Sequence, residues 1–549
     1  MTRADQRLIA AAAVLATSIF LLGTGRTDLW PPDETRVAEI SREMLDAGHW
    51  LLPRLNGEPF IEEPPLFYWL QAGTFHLSDG LSAAAARFPA ATSAALGALV
   101  TAILARLLHG SGGIAALVLV TAPEYWWMAR SGTPDTAATA ATALALTLFF
   151  LAWKTGRRAA LAGAVAAAGV AFWLKSLLGP GLAVLTVLSF LALAGTGRLR
   201  GRQLGIAALG LGVALASWMV ALTWTQGGDA ISFFLVTNHL GRLVGSRGIG
   251  HHRPLLYYAY NLALDLLPWS IALPAALVAA WRRRRDPDRL FPLLWAVCMT
   301  AALSFSATKR PHYLLPAYPG FAVVVALWWQ GEEQSRLDRG TRRALAATAL
   351  LVLPLVTFGL LLLDPAAVMQ SESIGRLLID ALLRSAAHPV PWIAAGGIAF
   401  LGILFGRAQR AQRPARAALT LAASCAVIQL VIALRLLPQF NVFCSARPWG
   451  EQLGRAARGG ASVVTFGFPN HEVVSPFLFH AGRLIPEAPS APQLERILSR
   501  RSACALVRAD AYEELAPALR DLPATPATVG GLRFVLVSDR SGGCERGRN

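Results

Sequence analysis

The sequence predicts an all-α polytopic membrane protein of about thirteen transmembrane helices, closed by a small C-terminal α/β extracytoplasmic domain. Three observations predict it. First, the 549 residues are 54% hydrophobic and only 15% charged, with a mean hydropathy of +0.47, whereas soluble domains carry roughly 25% charged residues. Second, thirteen apolar runs each approach the ~17–25 residues that cross a bilayer. Third, arginine clusters recur at every second loop between those runs, the pattern left by the positive-inside rule. The net charge of +17 is spread over these short clusters, so nucleic acid is excluded as a partner.

The first run, about 8–23, follows Arg3 and Arg7 and lacks a small-residue cleavage site, which predicts an uncleaved first helix. The next runs are 88–108, 113–128, 136–153, 159–174, 177–195 and 204–224. Six more follow, at 256–281, 290–305, 313–330, 344–363, 390–406 and 417–437. Arg106, Lys154, Arg157, Arg158, Arg198 to Arg202, Arg282 to Arg285, Arg336 to Arg343 and Arg407 to Arg416 fall in phase with Arg3 and Arg7. That phase puts them and the N-terminus in the cytoplasm, and the alternate loops and the tail in the periplasm. Residues 1–440 then form the membrane domain, with an outer loop at 24–87, and 441–549 a periplasmic domain. In the tail, apolar stretches at 461–466, 503–507 and 532–537 read as strands, and 449–457 and 491–500 as helices. A disulfide among Cys444, Cys504 and Cys544 is possible in that compartment, and spacing does not choose the pair.

The outer loop concentrates chemistry. Nine of the 33 acidic residues lie between Arg26 and Trp69. Asp33 and Glu34 follow Trp30-Pro31-Pro32 directly beyond a membrane helix, where ionisable groups point to function, although an Asp there also suits a helix N-cap. The helix expected at 35–47 puts Val37, Ile40, Met44 and Leu45 on one face, as in an interfacial helix, with Glu39, Glu43 and Asp46 on the wet face. Glu62 and Glu63 precede Pro64-Pro65 and the aromatic run Phe67-Tyr68-Trp69, which belongs at the membrane boundary.

Other outer loops add partners. Asp135 sits in the short turn 129–136, where an N-cap is again the structural alternative, and Lys175 lies near the outer end of its run. Lys309 and Arg310, followed by Pro311, His312 and Tyr313, form a cationic pair in a loop where positive-inside disfavours one, so a phosphate is the natural partner. The glycine-rich loop with Asn238, His239, His251, His252, Arg253, Tyr257 and Tyr258 adds more polar groups. Glu62 with His251 is a conceivable divalent-metal pair, though no ligand spacing supports it; no other cofactor is indicated. No nucleotide-binding or hydrolase motif occurs in a strand–helix context.

Five features in order resemble the GT-C superfamily of polyprenyl-phosphate-dependent glycosyltransferases. They are Asp33-Glu34, the Glu-x-Pro-Pro-Leu-x-Tyr-Trp run from Glu62 to Trp69, the Asp135 turn, His251-x-x-Pro-x-x-Tyr-Tyr, and Lys309-x-Pro-x-Tyr-x-Leu-Pro. The chain is similar to the branch of lipid A aminoarabinose transferases and protein O-mannosyltransferases, over about residues 8–440. It departs where those transferases carry Glu-Lys-Pro-Pro, because Glu63 occupies the lysine position.

The resemblance implies inverting transfer of a sugar from undecaprenyl phosphate to lipid A or another glycolipid or glycan at the periplasmic face, by a monomer. It makes Asp33, Glu34 and Asp135 catalytic, and Glu62, Glu63, Tyr68, Lys175, Arg253, Tyr257, Lys309, Arg310, His312 and Tyr313 substrate-binding. Protein O-glycosylation, or lipid or solute transport, is the competing reading; the absence of paired interrupted helices in two related halves argues against a transporter.

Overall fold

The computed structural model describes residues 3–78, 80–245, 252–331, 335–364, 389–500, 502–515, 519 and 521–545. It divides into two compact units. One comprises Met1–Thr24, Ile61–Phe67 and Arg87–Leu436; the other comprises Gly25–Phe60, Tyr68–Ala86 and Leu437–Asn549. Residues 25–60 and 68–86, read from sequence as an outer loop of the membrane domain, thus group with the C-terminal region.

The first unit is helical, and every one of the thirteen apolar runs coincides with helix. Among the described residues, nine helices are long and apolar enough to cross a membrane, or ten if one bent pair counts as a span. The other runs are broken or short. In 113–128 the helix stops at Val120 and restarts at Pro123, a residue that cannot donate to the preceding turn. The run 256–281 bends by 118° between Tyr257–Asp265 and Trp269–Arg282. Residues 313–330 open as the 3-10 helix Pro311–Ala317, and Leu178–Ala194 has only 17 residues. The chain is a multi-pass membrane protein.

Polar side chains close this bundle at helix ends. Arg130, in the turn before Asp135, donates from Nη1 to the carbonyls of Ile19 and Leu22 at 2.9 and 2.8 Å. It thereby satisfies carbonyls left without partners at the end of the first helix. Asp5 pairs with Arg106 at 2.6 Å and also accepts from the Ser111 hydroxyl. Gly156, at φ +75°, ends the helix Asp135–Thr155 in the left-handed conformation that glycine adopts without penalty.

The second unit contains a four-stranded sheet of β3 (Ser462–Phe466), β4 (Ala503–Arg508), β5 (Ala524–Val529) and β6 (Leu532–Ser538), in the order β3-β4-β6-β5; the hairpin strands β1 (Arg54–Leu55) and β2 (Glu58–Pro59) precede it. β3 pairs parallel with β4, and the remaining pairs are antiparallel. Alternation sorts the side chains to opposite faces. Val463, Leu506, Phe534 and Leu536 enter one core with Leu453, Phe477 and Leu478; Val464, Ala505, Val507, Val535 and Val537 enter another with Leu494 and Leu498. Sequence missed β5, whose Ala-Thr-Pro-Ala-Thr-Val has little apolar alternation. Its Pro526 is tolerated because β5 is an edge strand. Cys504 and Cys544 form a disulfide with Cα atoms 4.8 Å apart, leaving Cys444 as a thiol.

The helix Asp33–Ala47 corrects the sequence reading. It is buried on most of its circumference, with Glu39 fully buried and Glu43 nearly so; of these three acids only Asp46 remains well exposed. The helix packs on His471–Ala481, while Ala38 and Leu45 join Phe75 and Phe479 in one cluster. Burial is tolerated because each acid finds donors. Arg42 grips Glu39 through Nε and Nη2 at 2.7 and 2.6 Å. Glu43 accepts from the main-chain N–H of Asn56, and from that of Gly57 at 2.9 Å, in the β1–β2 turn. Desolvation, only partly offset by Arg42, pushes the Glu39 carboxyl up to about 7.

Candidate functional site

Within the helical unit, the candidate residues converge on Lys175. Its ammonium donates to Asp135 Oδ1, and it lies 5.8 Å from the centre of the Tyr313 ring. Glu63 adds a second carboxylate that acts on the same ammonium, and His312 acts electrostatically on Asp135. Asp135 is the first residue of its helix, with Pro134 at the cap position, and Lys175 is the last residue of the helix Arg158–Lys175. An acid at a helix N-terminus and a base at a C-terminus are each favoured by the helix dipole. The N-cap reading of Asp135 does not hold, since it stands one residue past the cap. Four sequence segments, 63, 135, 175 and 312–313, therefore meet around one buried cation.

A second group of candidates flanks this centre. Arg253 N–H donates to the Ala307 carbonyl at 3.3 Å, and His252 and Thr308 form an antiparallel bridge. The Arg253 guanidinium lies 5.8 Å from the Tyr257 ring, and the Tyr258 hydroxyl donates to the Arg310 carbonyl at 3.1 Å. The loop carrying Arg253 and Tyr257 is thus tied to the turn carrying Lys309, Arg310, His312 and Tyr313. Lys309 is buried and donates to the carbonyls of Arg253 and Ser306 at 3.0 and 2.5 Å. Desolvation holds its ammonium below the usual lysine range. Among the described residues, two of its three N–H donors go to main-chain carbonyls, so it staples two loops and keeps a third donor.

Asn238 and His239 fasten this arrangement from a π-helical segment, Phe233–Leu240. Asn238 Nδ2 donates to the Glu62 carbonyl at 3.0 Å, and His239 Nε2 lies 3.1 Å from Ser176 Oγ. Ser176 follows Lys175 and carries φ +89°, uncommon for a non-glycine residue. The two side chains thus hold residues beside Glu63 and beside Lys175. Sequence singled out the loop and gave no sign of this bridging.

Asp33, Glu34 and Tyr68 lie in the other unit. Asp33 is the first residue of its helix, one past Pro32 at the cap position, so it is no N-cap either. Its Oδ1 pairs with Arg36 Nη2 at 3.0 Å. Glu34 accepts from the Trp30 main-chain N–H at 3.3 Å and so braces its own loop. Tyr68 is buried edge-on to Phe60, with ring centres 6.3 Å apart. Asn441 braces the same loop, accepting from the Asp28 N–H at 3.0 Å and the Trp30 indole at 3.1 Å. Nothing in the sequence distinguishes Asn441 from any polar residue of the tail.

Among the described residues, no group of three His, Cys, Asp or Glu side chains is placed to hold a metal ion. His251, the expected partner of Glu62, lies outside the described residues.

Comparison with known proteins assigns the chain to a family. Residues 62–224 match the family described as dolichyl-phosphate-mannose-protein mannosyltransferase. The chain is 30% identical to the undecaprenyl phosphate-alpha-4-amino-4-deoxy-L-arabinose arabinosyl transferase of Edwardsiella ictaluri, over 72% of this chain and 70% of that protein. It is also 30% identical to the protein of the same name from Pectobacterium carotovorum, over 72% and 74%. The crystal structure of ArnT from Cupriavidus metallidurans bound to undecaprenyl phosphate shares the fold, with a TM-score of 0.71 at 21% identity over 96% of this chain and 97% of that one. The chain is a membrane glycosyltransferase, and it belongs to the family of the undecaprenyl phosphate-alpha-4-amino-4-deoxy-L-arabinose arabinosyl transferases.

Proposed function

We propose that the protein transfers 4-amino-4-deoxy-L-arabinose from its undecaprenyl phosphate carrier to a lipid A-type glycolipid, with inversion at the sugar carbon. The donor and sugar follow the names of the relatives. The observation that carries the reading is the buried Lys175 ammonium, held by Asp135 and faced by Glu63 and Tyr313. In the transfer, an acceptor oxygen forms a bond to C1 as the C1–O bond to the carrier phosphate breaks. The bonding pair leaves with the phosphate, whose charge grows. A preorganised cation is worth most against such developing charge.

Lys175 takes that role first, assisted by Arg253, Arg310 and the remaining donor of Lys309. Asp135 holds the ammonium in place, and Glu62, Glu63, Tyr257, His312 and Tyr313 shape the sugar pocket. Asp33 orients the acceptor: a hydroxyl acceptor passes its proton to Asp33, whereas a phosphate acceptor is already nucleophilic. Glu34 and Tyr68 support the acceptor loop.

The protein resides in the bacterial inner membrane. We place the N-terminus in the cytoplasm, and the reacting groups and the 441–549 domain in the periplasm. The arginine phasing supports this, as does the Cys504–Cys544 bond, since disulfides persist in oxidising compartments. We take a monomer as the working unit. The test is mass spectrometry of lipid A from cells with and without the protein, paired with transfer by purified protein from the undecaprenyl phosphate aminosugar. The expected result is one added aminopentose that depends on the protein. Unchanged lipid A, with the sugar mass missing from another envelope component, would overturn the acceptor.

A further inference from the structure

We infer that Glu472, in the C-terminal region, is a positioning residue for the transfer reaction and acts on Asp33 through Arg36. The inference rests on the assignment of Asp33 to the acceptor. Arg36 is shared between two carboxylates: Nη2 meets Asp33 Oδ1 at 3.0 Å and Nη1 meets Glu472 Oε1 at 2.8 Å. Its guanidinium also lies 5.8 Å from the Phe60 ring, and Phe60 stands edge-on to Tyr68. A guanidinium is a rigid planar fork, so a partner on each terminal nitrogen and a ring beneath it fix its orientation.

The Asp33–Arg36 pair alone would hold poorly. It is an i,i+3 pair with Asp33 30% exposed, and solvent-exposed ion pairs of this kind contribute little. Glu472 supplies the missing constraint from an element that is itself well anchored. It sits in the first turn of the helix His471–Ala481, where Asn470 caps by accepting from the Val473 N–H at 3.1 Å and a carboxylate is favoured by the dipole. Val474, Phe477, Leu478 and Ala481 of that helix are buried in the core. Beside it in the chain, His471 Nδ1 lies 3.2 Å from Asn56 Nδ2, which ties down the β1–β2 turn held by Glu43.

A purely structural bridge would have no need to share its cation with the acceptor carboxylate. Glu472 occupies one arm of the fork, and the other arm meets Asp33 at Oδ1. When Glu472 is lost, both arms are available to Asp33, and the carboxylate becomes a closed ion-pair partner that the acceptor must displace.

Transfer kinetics of purified full-length protein test this. Glu472→Gln is expected to lower kcat about tenfold, with the donor KM within twofold. Glu472→Asp should recover activity to within about threefold of wild type. In a double-variant cycle, Arg36→Gln with Glu472→Gln should lose no more than Arg36→Gln alone, because the two act as one unit. Thermal midpoints confirm folding; should Glu472→Gln fail to fold, Arg36→Lys, which keeps the charge and loses the fork, must show the same kcat loss. Wild-type kcat in Glu472→Gln, or losses that multiply in the cycle, would overturn the inference. Asp33→Asn separates the two levels: full activity in that variant removes the acceptor assignment itself, whereas an inactive Asp33→Asn beside a fully active Glu472→Gln removes only the role of Glu472.

Discussion

Lys175 donates a hydrogen bond to Asp135, joining the last residue of one membrane helix to the first residue of another. The side chains are 13% and 6% exposed, so neither charge is hydrated well enough to stand alone. Removing one partner of a buried pair costs about 3–5 kcal/mol, whereas replacing both by neutral groups costs far less. Lys175→Met and Asp135→Asn are therefore each expected to lower the thermal midpoint, and the double variant to regain much of it. If Lys175 faces the leaving phosphate, transfer activity falls at least about 100-fold in the Lys175→Met variant and stays lost in the double variant. Activity that returns with stability would leave the pair a purely structural role.

Glu63 places a second negative charge against the same ammonium. It opposes the positive potential that a donor phosphate would meet. Glu63→Gln is expected to tighten binding of undecaprenyl phosphate several-fold, read as a lower inhibition constant in the transfer assay. Weaker binding in that variant would show that Glu63 supports the carrier phosphate site instead of opposing it.

Glu39 gives the second unit a pH dependence. Its folded carboxyl lies at about 7, above its ordinary 4.5, because burial disfavours the charged form. The folded state then binds the proton more tightly than the unfolded chain does. The stability Glu39 contributes is full below about pH 4.5 and is lost as pH rises through about 7. Thermal midpoints across this window should fall with rising pH in the wild type, and less steeply in Glu39→Gln. Equal slopes in both would show that the carboxyl titrates normally.

Cys504 and Cys544 close a loop of 40 residues around the sheet edge and the final turn. Loss of such a bond from a small domain typically costs about 2–5 kcal/mol. Cys504→Ser is expected to accelerate proteolysis within 441–549, and mild reduction of the wild type to do the same. Proteolysis unchanged by either treatment would mean that the bond contributes little to this domain.

Much of the fold is legible in the amino-acid sequence. Hydropathy is a local property, so all thirteen apolar runs coincide with helix, and three of the four C-terminal strands show themselves as short apolar stretches. The fourth, β5, does not, because an edge strand bearing Pro526 needs no apolar alternation. The acids of the Asp33–Ala47 helix mislead for a related reason. Charge at Glu39 and Glu43 reads as solvation unless their donors are known, and Glu43 finds its donors in a turn more than ten residues further on.

The candidate residues themselves come from sequence, since carboxylates and cations in non-cytoplasmic loops of a hydrophobic chain are costly enough to stand out. Their partnerships do not. Asp135 and Lys175 lie 40 residues apart, Arg36 and Glu472 lie 436 apart, and no periodicity links residues at such separations. The membrane class, the helical runs and the inventory of chemical groups are already set in the primary structure, because burial of apolar runs and loop charge are written locally. Which carboxylate meets which cation emerges with the three-dimensional fold, because an ion pair depends on distance in space, and chain closure over tens or hundreds of residues sets that distance.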